Sequence, residues 1–210
     1  IVRELRRQGF CPVVLADGNA LTLMANYVPA PQLLPLPDLQ VRYNPGRNQS
    51  TAVLRLVWQW LRMRGRVRKL LWRYAAMWKP CMVVSDNRPG LALPGVHSIY
   101  MTHQLRLKLP QRWHFLEKAF AALHRHVMRP YDEIWLPDSP QPYSLSGVLG
   151  WGVPHPRHLK VVGALSRFTA EKIEAQGNEP EILVVLSGPE PHRSLMEQAL
   201  VRQLAAIGRP

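Results

Sequence analysis

The sequence predicts an α/β fold, a parallel sheet with helices on both faces. Three observations carry this. Short apolar runs alternate with segments of helical period across residues 1–163. Two of those runs, residues 82–85 and 98–101, break off into polar clusters, Asp86-Asn87-Arg88 and Thr102-His103-Gln104. Apolar residues make up 47% of the 210, ample for a buried core.

Taken in order, residues 1–8 read as a helix with Ile1, Val2 and Leu5 on one side, arginines opposite and Gly9 as its stop. Residues 10–16 (FCPVVLA) predict a strand that ends in Asp17-Gly18-Asn19, and residues 20–26 suit a short helix. Residues 29–50 are rich in proline with alternating apolar positions, which predicts an irregular strand-and-loop excursion. A long basic helix follows, then the strand after Cys81, a turn through Pro89-Gly90 and Pro94-Gly95, and the strand HSIYMT. Residues 113–127 have helical spacing through Trp113, Leu116, Ala119, Phe120, Leu123 and Val127. Residues 131–137 (YDEIWLP) and 160–163 (KVVG) predict two further strands.

After Gly163 a polar stretch, residues 166–180, has the composition of a connector. Residues 182–186 (ILVVL) predict a strand, Ser187-Gly188-Pro189 a turn, and residues 190–206 a helix, the opening βα unit of a second domain. The predicted domains are therefore 1–165 and 181–210, joined by 166–180. A chain of this class that starts within a helix is expected to lack its first strand, so the sequence reads as a fragment cut at both ends.

The formal net charge is +13, and its distribution is informative. Between Val53 and Lys79 there are eight Lys or Arg, four Trp and no acidic residue. On a helix, Val53, Val57, Trp60, Val67, Leu71, Tyr74 and Trp78 form an apolar stripe, with most of the tryptophans on that side. Arg55, Arg62, Arg66, Lys69 and Arg73 line another. Such a helix either packs its stripe on the sheet and solvates its charges, or lies on an anionic membrane, a peripheral contact through residues 53–79. No RNP-like string, zinc-finger spacing or helix-turn-helix pattern accompanies the charge, so nucleic acid is not the expected partner.

Cys11 and Cys81 match no zinc or redox spacing and are expected as buried thiols in a reducing compartment. No apolar stretch reaches the roughly 18 residues needed to span a bilayer. His124 and His126 lie two apart on a helix and face different ways, while His155 and His158 lack partners, so no metal and no cofactor is expected. Dinucleotide, hydrolase-elbow and P-loop patterns are missing.

If the strands at 82–85 and 98–101 are parallel neighbours, their polar clusters meet at the carboxyl edge of the sheet, where open α/β sheets bind ligands. Asp86 and His103 could then act in proton transfer, because burial and neighbouring charges tune both groups toward neutral pH. Asn87, Arg88, Thr102 and Gln104 are candidates for binding substrate. A hydrogen bond that closes a loop is the plainer job for any one of these side chains. Ser187, Gly188, Glu190 and Arg193 form a candidate phosphate site, since a turn before a helix presents N–H groups; a simple tight turn is the competing reading.

The run CMVVSDNRPGLALPGVHSIYMTHQL, with YDEIWLPD, KVVGALSRF and ILVVLSGPEPHRSLMEQAL, resembles the MurG-type glycosyltransferases of glycosyltransferase family 28. His103-Gln104 is similar to part of that family's His-Glu-Gln-Asn string, although no Glu follows the His here. The resemblance implies a GT-B architecture of two Rossmann-like domains, the first binding the acceptor and the second the nucleotide-sugar donor. It implies a hexosyltransferase that takes a sugar, UDP-linked in the expected case, to a hydroxyl of a lipid-linked or cell-envelope glycan. It further implies a cytoplasmic location, peripheral at the inner face of the membrane. The competing readings are a non-catalytic basic module binding RNA or an anionic membrane, and a different Rossmann-type nucleotide-sugar enzyme.

Overall fold

A computed structural model of the chain describes residues 1–37, 65–106, 115, 117–152, 156, 158–166, 184–187 and 191–206. The chain divides into two compact units, residues 1–41 with 48–167, and residues 42–47 with 168–210.

The first unit opens with helix α1 (Val2–Arg7), which Gly9 ends as expected by taking a φ of +85°. In that left-handed turn the N–H of Gly9 bonds to the Arg6 carbonyl and the N–H of Phe10 to the Leu5 carbonyl, satisfying acceptors that the helix end leaves open. Strand β1 (Val14–Ala16), helix α2 (Gly18–Met24), a 3-10 turn (Ala30–Gln32) and strand β2 (Leu33–Pro35) follow. β1 and β2 pair in parallel, Leu15 opposite Leu34, so this is one βαβ step compressed into short elements.

Residues 65–78 are helical and are termed α3. The remaining elements are β3 (Met82–Asp86), β4 (His97–Met101), α4 (Glu117–Met128), β5 (Glu133–Leu136), α5 (Val148–Trp151) and β6 (Leu159–Val161). The last four strands form one wholly parallel sheet in the order β3-β4-β5-β6. The α/β class with parallel sheets therefore stands, but the described strands form two sheets, one of two strands and one of four.

β4 is central, and from Ser98 to Met101 every residue is buried, as expected of a parallel strand covered on both faces. Its Tyr100 joins Leu105, Met128, Tyr131, Ile134 and Leu136 in the main core cluster, with Ala92, Trp151 and Leu159 packed around it. Burial raises the Tyr100 phenol to about 12, so it is a neutral core ring.

Several expectations are corrected. The strand predicted over 10–16 is confined to its last three residues; Phe10 is exposed. Cys11 and Cys81 are exposed free thiols, because each precedes its strand instead of lying within it. On α4 the inward face carries His124, Val127 and Met128, while Leu123 turns to solvent. α3 buries Val67 and Leu71 as expected, yet Trp72 lies on the outer side with the cations and Trp78 is exposed. Trp113 and residues 53–64 lie outside the described residues.

In the second unit, helix α6 (His192–Ala206) forms where a helix is expected. The strand expected at 182–186 does not appear at its described residues, 184–186. Val184 and Val185 are exposed there, and a strand without a hydrogen-bonded neighbour has no stable form. Among the described residues no helix is long and apolar enough to cross a membrane.

Candidate functional site

The register of β3 and β4 sets Asp86 opposite Met101, so both polar clusters emerge together at the carboxyl edge of the four-stranded sheet. Asn87 adds one more rung beyond the strands. Its N–H donates to the Met101 carbonyl at 2.8 Å while its φ is +49°, a left-handed conformation that asparagine tolerates better than most residues. The Thr102 hydroxyl, in a residue only 1% exposed, donates to Asn87 Oδ1 at 3.0 Å and accepts the Gln104 N–H at 3.1 Å. The N–H of Thr102 donates to the Trp135 carbonyl at 2.9 Å, which carries the frame on to β5.

Arg88 is fixed at both ends. Its carbonyl accepts the Ser85 hydroxyl at 2.5 Å and the Tyr131 hydroxyl at 3.2 Å, and that phenol in turn accepts the Leu91 N–H at 2.9 Å. Its guanidinium forms an ion pair with Asp17, the residue just past β1. Asp17 holds the N-cap position of α2 but makes no side-chain capping bond, its carboxylate being turned to Arg88. The pair ties the carboxyl end of β1 to that of β3.

Within this frame Asp86 and His103 stand exposed on the ends of neighbouring strands. Although Asp86 reaches solvent, its crowded surroundings push the carboxyl above the usual aspartate value, and the charges of His103 and Arg88 pull it part-way back. The two side chains are thus close enough to feel one another. A carboxyl raised toward neutrality beside an imidazole can pass a proton in either direction.

Sequence reasoning missed the third strand end. Asp138, which follows β5 and is 1% exposed, accepts six hydrogen bonds. Oδ1 takes the N–H groups of Ser139 and Leu145, each at 2.8 Å. Oδ2 takes the Ser144 hydroxyl at 2.6 Å, the Ser146 hydroxyl at 2.5 Å, the Ser146 N–H at 3.2 Å and the Trp151 indole N–H at 3.0 Å. Burial opposes ionisation, but donors from Ser144, Ser146, Leu145 and Trp151 overcome it and hold this carboxyl far below the usual carboxylate range. Asp138 therefore shapes the 139–147 loop beside the site and stays ionised. The spacing of Ser139, Ser144 and Ser146 after an aspartate at a strand end is the signal that could have revealed it.

The opposite edge of the sheet is chemically closed. Glu133 at the start of β5 binds Lys160 at 2.8 Å and the Trp135 indole at 2.7 Å, with His97 Nε2 at 3.5 Å. Those contacts join the starts of β4, β5 and β6.

The expected donor residues lie in the second unit. Ser187 is exposed and Arg193 sits in the first turn of α6, whereas Gly188 and Glu190 lie outside the described residues. Of the candidate metal ligands, His124 is buried and His126 exposed, and among the described residues no group of three His, Cys, Asp or Glu could hold a metal ion. Comparison with protein-family models, with curated proteins and with solved structures finds no match to the chain.

Proposed function

We propose that the chain serves a nucleotide-sugar glycosyltransferase of GT-B type, moving a hexosyl group from a UDP-linked donor to a hydroxyl of a lipid-linked or cell-envelope glycan at the cytoplasmic side of the membrane. The observation that supports this reading is the placement of Asp86 and His103 on adjacent parallel strand ends, with the Asp86 carboxyl raised above its ordinary value by burial. The resemblance drawn from the sequence supplies the substrate class.

In this reading Asp86 or His103 takes the proton of the acceptor hydroxyl as its oxygen bonds to the anomeric carbon of the sugar. The bond from that carbon to the donor diphosphate breaks, and the diphosphate leaves with the electron pair. Asn87, Thr102 and Gln104 hold and orient the acceptor, Arg88 being engaged by Asp17 in the resting protein. The resemblance assigns the diphosphate to Ser187, Gly188, Glu190 and Arg193, where backbone N–H groups and the amino end of α6 offer partial positive charge. That stabilisation needs no metal.

A transfer assay tests the proposal. With a radiolabelled UDP-sugar and a membrane-lipid extract as acceptor, Asp86→Asn or His103→Ala in the full-length protein should lower turnover by about 10²–10⁴-fold while the circular dichroism spectrum stays that of the parent. Undiminished transfer by both variants would exclude this edge as the reacting site.

A further inference from the structure

The outward face of α3 presents an arrangement that neither its packing nor the proposed transfer chemistry uses. Val67 and Leu71 take the inward side. Positions three and four apart share a helix face, which puts Arg68, Lys69, Trp72 and Ala76 together on the opposite side with Arg73 beside them. Trp72 is 47% exposed there, in a shallow depression lined by Gly65, Arg68, Lys69 and Arg73. No acidic residue occurs anywhere from 53 to 79 to neutralise the face.

A half-exposed indole ringed by three cations suits one kind of surface. At a bilayer interface tryptophan settles at headgroup level while Lys and Arg reach lipid phosphates. A nucleic-acid surface could stack on the indole, but no RNP-like string, zinc-finger spacing or helix-turn-helix pattern accompanies this charge. We propose that the outward face of α3 is a peripheral membrane-binding surface for anionic phospholipid, with Trp72 entering the interface and Arg68, Lys69 and Arg73 pairing with lipid phosphates. This stands independently of the sugar-transfer reading.

The test is sedimentation of the full chain with vesicles of phosphatidylcholine alone or mixed with phosphatidylglycerol, in parallel with binding to a single-stranded RNA. The chain should bind the anionic vesicles, lose that binding in high salt and ignore the neutral ones. Replacing any one of Arg68, Lys69 or Arg73 by Gln should weaken binding about fivefold, as expected for roughly 1 kcal/mol per surface cation. Trp72→Ala should weaken it by at least as much with the helical circular dichroism unchanged. Indifference to vesicle charge, anionic binding that survives Trp72→Ala intact, or binding to RNA without binding to vesicles would each overturn the proposal.

Discussion

The carboxylate of Asp17 and the guanidinium of Arg88, 71 positions apart, form a part-buried ion pair that joins the carboxyl ends of β1 and β3. Nothing in the local sequence of either residue announces the other. The contact anchors Arg88 beside the candidate site, and the Arg88 carbonyl is also the acceptor for Ser85 and Tyr131.

Removing either partner leaves the other charge half-buried without its counterion. Arg88→Ala and Asp17→Asn should each destabilise the chain by about 2 kcal/mol, the range for hydrogen bonds to charged groups. The double variant should cost clearly less than the sum. Urea unfolding of the four proteins in this cycle checks it, and simple additivity would show that the pair does not couple the two strands.

Asp138 should be the most sensitive polar position in the chain. Replacement by Ala deprives five residues of their acceptor around one buried point, and a fall in Tm of roughly 10 °C or more is expected. Ser144→Ala, which removes a single donor, should have a much smaller effect. Thermal unfolding followed by circular dichroism distinguishes the two outcomes.

His124 supplies a pH dependence. It packs edge-on to Tyr100 with ring centroids 6.3 Å apart, and its Nδ1 has no hydrogen-bond partner among the described residues. Burial lowers its pKa from the ordinary 6.5, and a hydrogen bond to the Leu105 backbone restores only part of that. A lowered folded-state value means that the unfolded chain takes up the proton first. Stability is therefore flat above 6.5 and falls as the pH drops from 6.5 toward the folded-state value. Denaturant midpoints measured across this window should show the loss, and His124→Phe should reduce the slope.

Asp86 behaves in the opposite sense. Its raised pKa favours the folded state at low pH, and this contribution is lost as the pH rises through the folded-state value. At neutral pH its charge is a burden to the fold, as expected where a group is kept for chemistry. Asp86→Asn should match or exceed the parent Tm at neutral pH, with the difference vanishing as the pH approaches 3.8. A clear loss of stability at neutral pH would mark Asp86 as a structural residue.

The sheet was legible where an apolar run ended abruptly in polar residues. β3 and β4 carry that signature, and their parallel pairing and shared edge follow from it. Hydrophobic periodicity was less reliable on α4, where Leu123 and His124 are adjacent. Apolarity alone chooses the face with Leu123, but Leu123 is 42% exposed and His124 only 8%, with His124 meeting the Tyr100 ring. Trp78 was counted with the apolar stripe on periodicity alone, yet it is 37% exposed at the end of α3. Asp17 with Arg88 depends on a tertiary contact that no local pattern encodes, whereas Asp138 and its serine loop left a local signal in the spacing of Ser139, Ser144 and Ser146. The strand at 182–186 read as β from composition alone, and composition provides no pairing partner.

The sugar-transfer account is tested most directly by isothermal titration calorimetry of the full-length protein with UDP, a UDP-sugar and other nucleoside diphosphates. The account predicts saturable, metal-independent binding of a nucleoside diphosphate that persists in Asp86→Asn and His103→Ala, since those residues act on the acceptor. No detectable heat with any nucleoside diphosphate, with or without sugar, would contradict it.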